Sequence, residues 1–181
     1  MFQDYKDLLS AFNAHGVKYL IVGGYAVSFH AQPRATKDID LFIKADIANA
    51  TATYAALASF GAPLDNIRVE DLADPRNFIR FGREPRAVDI LPGIDGVEFE
   101  AAWERRVEGI IDPQSGLTAF FISDADLMTA KLAAGRRRTL QTQRRFAKQQ
   151  RAKNHGSQKK RPRNRSRAGL AKASNRRCRK S

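Results

Sequence analysis

Residues 23–43 read GGYAVSFHAQPRATKDIDLFI. The run before them, VKYLIV (17–22), is β-branched and aromatic and predicts a buried strand. Gly23-Gly24 turns the chain out of that strand into a short helix over Tyr25–Ala31, which Pro33 ends. Lys37–Ile43 follows as a second strand, with Ile39, Leu41 and Ile43 alternating against Asp38, Asp40 and Phe42. Side chains at i and i+2 of a strand point to one side of the sheet, so two carboxylates stand together on one face. Close carboxylates repel and raise each other's pKa unless a cation lies between them. Magnesium is the natural candidate, a hard cation that takes oxygen ligands and readily shares them with phosphate.

Outward from this centre, helices alternate with strands and hairpins. DYKDLLSAFNAH (4–15) predicts an amphipathic helix stopped by Gly16, and DIANATATYAALASF (46–60) an Ala-rich helix closed by Gly61. Asn77–Gly82 and Arg86–Leu91 read as a hairpin across Arg83–Pro85. A second strand pair is expected around Val97–Glu100 and Val107–Ile111, with a short strand at Leu117–Ile122. Ser123 is the expected N-cap of a helix to about Ala134, stopped by Gly135. The pattern predicts a small α/β (α+β) domain with a mixed sheet and flanking helices.

Of the 181 residues, the first 135 hold all 19 acids and 13 of the 32 Lys and Arg. The other 19 basic residues fall in 136–181, which holds no acid. Two parts are therefore expected: a mildly acidic folded domain, 1–135, and a basic low-complexity tail, 136–181, too poor in apolar residues to fold alone. The single cysteine, Cys178, excludes a disulfide framework and a cysteine metal site. The start MFQDYKDLL has neither the basic region nor the apolar run of a signal peptide, and no apolar stretch is long enough for a membrane helix. A cytoplasmic protein with no membrane partner is expected.

AVDIL (87–91) places a third acid, Asp89, between Val88 and Ile90 in a strand. Beside the first strand it would complete a set of three metal-ligating carboxylates, Asp38, Asp40 and Asp89. Three carboxylates can hold two metal ions for in-line phosphoryl transfer. Gly23 and Gly24 leave backbone N–H groups uncovered at a helix start, a favourable place for phosphate. Arg34, Thr36 and Lys37 flank the acids and could reach phosphate oxygens or a base. A Gly-Gly turn or an Asp-x-Asp pair alone is commonplace. A carboxylate pair inside an apolar strand is not, because burying unpaired charge is costly.

A strand, Gly-Gly opening a helix, 13 residues, Asp-x-Asp in a strand and a later strand Asp together resemble the nucleotidyltransferase superfamily with the polymerase-beta-like fold. YLIVGGYAVSFHAQPRATKDIDLFI looks especially like the AbiEii-type and related small prokaryotic nucleotidyltransferases. The resemblance covers roughly residues 3–136. It implies metal-dependent transfer of a nucleoside monophosphate from an NTP to a hydroxyl, with release of pyrophosphate. Gly23 and Gly24 would hold the triphosphate, Asp38 and Asp40 the metal ions, and Asp89 would complete the site and help activate the acceptor; Asp95 competes for that third place. Lys131, on the last helix, matches a basic residue that related enzymes use near the phosphates. The acceptor is left open among RNA, protein and small molecules, as is a toxin–antitoxin role with a cognate antitoxin as partner. The alternatives are a catalytically inactive nucleotide- or partner-binding member of the fold, and a protein that binds nucleic acid through its tail.

His30 and His15 read as packing, surface or helix-end residues, and Trp103 as a core anchor. The tail would bind nucleic acid non-specifically, through charge. Its abrupt start inside the expected closing helix suggests a one-base frameshift near codon 136. Arg137–Ala147 can be back-translated so that the neighbouring frame reads P-Q-D-L-A-D-A-E-A-L-R, an acidic amphipathic helix. An intact reading frame in the genomic DNA would exclude this.

Overall fold

A computed structural model describes residues 1–31, 35–83 and 86–135. Arg34 and the basic tail, with the frameshift expectation attached to it, lie outside the described residues. The elements in chain order are α1 (Gln3–Ala14), β1 (Tyr19–Val22), α2 (Gly23–His30), β2 (Ile39–Ile43), α3 (Ile47–Phe60), α4 (Val69–Ala73), β3 (Ile79–Arg83), β4 (Arg86–Leu91), α5 (Phe99–Glu104), β5 (Val107–Asp112) and β6 (Leu117–Phe121). A last helix, α6, covers 124–135.

The six strands form one mixed sheet in the order β3-β4-β2-β1-β6-β5. β2 lies antiparallel to β1 and parallel to β4, β1 runs parallel to β6, and β3–β4 and β5–β6 are hairpins. The expected mixed α/β class is what the chain adopts.

The two faces of the sheet are covered differently. Ile39, Leu41 and Ile43 are fully buried on one face. Tyr19 is paired with Ile43 and shares that face, where it meets Phe12 of α1 edge-on at 5.4 Å. Tyr5 of α1 meets Tyr25 of α2 at 5.9 Å, and α3 packs on α1, so these helices form the layer that closes the core. Burying such aliphatic side chains contributes roughly 1.5–3 kcal/mol each. On the opposite face Phe42 meets Phe99 of α5, and Trp103 continues the aromatic row to Phe120. The carboxylates of β2 point to this second, more open face.

Local signals account for most boundaries. Asp46 caps α3 by accepting from the Asn49 N–H at 2.8 Å, and Gly61 ends it at φ 83. Ser123 caps α6: its Oγ accepts from the Asp126 N–H at 3.2 Å and donates to the Asp126 carboxylate at 2.7 Å. The expected strand at Val97–Glu100 is not formed. Glu98 instead caps α5 by accepting from the Ala101 N–H at 2.9 Å, Phe99 and Ala102 face the core at helical spacing, and Val97 makes only a bridge to Ile94. β5 takes β6 as its partner. α4 was not expected; Asp71 closes its first turn by accepting from the Arg68 N–H at 2.9 Å.

Candidate active site

β2 and β4 lie side by side in parallel register, with Asp40 opposite Asp89 and Phe42 opposite Leu91. The hairpin sets Arg80 of β3 opposite Asp89. One row across the open face therefore reads Asp40, Asp89, Arg80. Asp38 lies in the bend just before β2 and joins the row through Arg80, which donates to its carboxylate at 3.0 Å. The same guanidinium stands 3.5 Å from Asp89.

Asp40 is held from the other side by the glycines. The Gly24 N–H hydrogen-bonds its carboxylate. A Cβ on Gly23 would lie 2.0 Å from Asp40 Oδ2, and Gly23 has φ +61, a conformation L side chains rarely adopt. A Cβ on Gly24 would lie 2.4 Å from Thr36 Oγ1. The Gly-Gly pair thus lets the start of α2 approach β2 closely. Thr36 lies against Gly24, and its hydroxyl donates to the Asp38 carbonyl at 3.3 Å. From α1 the Tyr5 hydroxyl lies 2.5 Å from the Lys37 carbonyl and 3.1 Å from that of Ala87, tying together the starts of β2 and β4. Its pKa is pushed up to about 12, mainly by burial.

The electrostatics of the row are unfavourable. Burial, then the nearby Asp89 carboxylate, pushes the Asp40 pKa up to about 6 against the Gly24 N–H, which favours the charged form. Burial also raises the Asp89 pKa, opposed by Arg80. Asp89 Oδ1 is buried without a hydrogen-bond partner, its nearest cation being the Arg80 Nε at 3.5 Å. Buried polar atoms are nearly always satisfied, so an orphaned carboxylate oxygen beside a second carboxylate marks a place for a cation. Among the described residues, no three acidic, His or Cys side chains are yet grouped closely enough to hold a metal ion. Arg80 hydrogen-bonds Asp38 and stands in ion-pair range of Asp89, taking the part of the counter-ion. The donor set, three carboxylates with one orphaned oxygen, suits a hard dication.

The sequence-derived residues divide clearly in space. Asp38, Asp40 and Asp89 are brought together, with Gly23, Gly24 and Thr36 beside them. Lys37 is exposed next to Asp38, while Lys131 is exposed on α6 and makes no hydrogen bond or ion pair with the acids. Asp95 lies in the turn between Ile94 and Val97, outside the row. His30 Nε2 is 2.6 Å from the Ile122 carbonyl, and His15 is the C-cap of α1, so both have structural places. Trp103 stacks on Phe99 and carries the Arg106 guanidinium 4.2 Å from its ring centre.

Arg80 is the residue that the sequence reading missed. The expected turn at Arg83–Pro85 would set Arg80 opposite Val88; the strands instead pair Arg83 with Arg86, and this one-residue shift brings Arg80 opposite Asp89.

The family model described as "Nucleotidyltransferase of unknown function (DUF6036)" matches residues 1–142. The chain belongs to this nucleotidyltransferase family. The match covers every described element and extends seven residues past Gly135. It supports the nucleotidyltransferase superfamily, and not the AbiEii-type branch in particular. No curated protein matches the chain. Membership of a nucleotidyltransferase family implies an NTP substrate.

Proposed function

We propose that the chain is a magnesium-dependent nucleotidyltransferase that moves a nucleoside monophosphate from an NTP to a hydroxyl acceptor and releases pyrophosphate. The observation that carries this reading is the orphaned, buried Asp89 oxygen next to an Asp40 whose pKa is raised to about 6. Such a site gains most from a divalent cation. Asp38, Asp40 and Asp89 would hold the metal, which supplies charge neutralisation and polarisation at the α-phosphate.

The chain's own groups do the rest. Gly23 and Gly24 present the α2 N-terminus to the departing phosphates. Thr36 and Lys37 border the same end of the row. Asp89, its proton affinity raised by burial, accepts the proton of the attacking hydroxyl. The acceptor oxygen–phosphorus bond forms as the bond from phosphorus to the pyrophosphate oxygen breaks. Arg80, which neighbours Asp38 and Asp89, would yield them to a bound cation and lend its positive charge to the phosphates.

The test uses the full chain with Mg²⁺, each [α-³²P]NTP and a cell extract, against an Asp38→Ala/Asp40→Ala variant. Label transferred by the parent and absent with the variant is the expected result. Equal labelling by both would remove the carboxylates from the mechanism. NTP binding without any transfer would favour the inactive, nucleotide-binding alternative.

A further inference from the structure

A cleft of about 730 Å³ opens beside the carboxylate row. Its position follows from strand register. Two residues along from Asp40 and Asp89 on the same face stand Phe42 and Leu91, and Phe78, just before β3, joins them in the lining. The charged row thus continues, about 7 Å further down the strands, into an apolar row. Phe78 is 56 % exposed, while Phe42 is buried against Phe99 of α5. The wall is fixed where Gly93 meets Pro75: a Cβ there would fall 2.1 Å from the Pro75 carbonyl oxygen. The lining is mixed, with Phe42, Phe78, Leu91 and Ile94 beside charged residues such as Lys44, Arg76 and Glu100, and a cleft of this size can take a small molecule.

Its location relative to the glycines assigns its occupant. Gly23 follows Val22 of β1, which pairs with Asp40 on one side of β2. The cleft extends toward the other side, its walls coming from the ends of β2 and β4, the segment before β3, and α5. In-line displacement requires the attacking and leaving oxygens on opposite sides of phosphorus. With pyrophosphate leaving toward Gly23-Gly24, the attacking hydroxyl arrives from the Asp89 side, where the cleft opens.

The rim charges limit the chemistry. Lys44 is paired with Asp46 at 3.0 Å and with Glu100, and Arg76 with Asp74 at 2.6 Å. Asp95 and Glu98 also line the cleft. Among the described lining residues both cations, Lys44 and Arg76, are thus already paired with acids, while the exposed Phe78 ring offers a stacking surface.

We propose that this cleft is the acceptor subsite, and that the acceptor is a small molecule carrying its hydroxyl beside a flat apolar ring and bearing no phosphate. The proposal rests on the nucleotidyltransferase reading above. Its test uses the full chain, Mg²⁺ and [α-³²P]NTP with three acceptor pools from a cell extract: the low-mass metabolite fraction, total RNA and total protein. Phe78→Ser and Phe78→Tyr are run beside the parent, and Mg·NTP binding is measured by calorimetry for all three. The expected result is label in the metabolite fraction, about tenfold less with Phe78→Ser and largely restored with Phe78→Tyr, at unchanged NTP affinity. Label confined to RNA or protein overturns the acceptor class. Label insensitive to Phe78→Ser overturns the subsite, as does NTP binding without label in any pool. Loss of NTP affinity in Phe78→Ser makes the cleft a nucleobase pocket instead. Absence of NTP binding by the parent removes the nucleotidyltransferase reading itself.

Discussion

The two faces of β2 are built from the same five-residue strand and its flanking aspartate by opposite rules. Ile39, Leu41 and Ile43 have no exposure and sit under a complete helical layer. Asp38, Asp40 and Phe42 stand on the other face, where α5 covers Phe42 and the carboxylates are left beside Asp89 and Arg80. The core face is satisfied as it stands. The acid face carries repulsion, a raised Asp40 pKa and a buried oxygen with no hydrogen bond. A strand that needed only to be stable would not carry these, so the contrast separates what holds the domain together from what the domain is for.

The largest expected effect breaks the acid face. Asp40→Ala should lower nucleotidyl transfer by roughly a thousandfold, in the range seen when a preorganised charge-stabilising group is removed, with the melting temperature held or raised. Steady-state transfer assays beside calorimetry check both halves. Breaking the core face should do the reverse in kind: Leu41→Ala should destabilise by about 2–5 kcal/mol, read from denaturant midpoints. Gly23→Ala strikes the seam between the two faces. Its methyl would meet the Asp40 carboxylate on a backbone at positive φ, and a loss of about 2 kcal/mol together with most activity is expected.

The smallest effect sharpens the comparison. The folded-state pKa of Asp40, about 6, lies above its ordinary 3.8, so the native state binds the proton more tightly than the unfolded chain. Stability from this group is therefore greatest below 3.8, falls as pH rises through the window to about 6, and is flat above it. Asp40→Asn keeps an acceptor for the Gly24 N–H and loses the charge. Without metal it should match the parent in acid and exceed it above the window by about 1 kcal/mol, a figure discounted for partial exposure. Chemical denaturation across that pH range checks the sign; a variant weaker than the parent at high pH would contradict it.

Much of this was legible in residues 17–43. Alternation in IDLFI marks both faces, the glycines mark the turn between strand and helix, and the Asp-x-Asp spacing fixes which side the acids take. Asp89 was legible as an acid in an apolar strand, but its pairing with Asp40 is a long-range register that local pattern does not encode. Arg80 needed a register that pairs Arg83 with Arg86, which the expected turn at Arg83–Pro85 does not give. Val97–Glu100 misled because a β-branched residue and an aromatic suggest a strand, whereas the Glu98 cap and the Phe99–Ala102 spacing make α5. The cleft was out of reach altogether, since its walls come from β2, β4, α5 and the segment before β3.

The most direct measurement is thermal unfolding of the parent chain and Asp40→Asn at pH 8 with and without MgCl₂ and NTP. A ligand that binds only the folded state raises its melting temperature by mass action. The expected result is a parent stabilised by Mg²⁺, further by Mg·NTP, and an Asp40→Asn variant that starts more stable but gains little from either. A parent unmoved by Mg²⁺, or a variant that responds as strongly as the parent, would contradict the assignment of the acid face to a metal and its nucleotide.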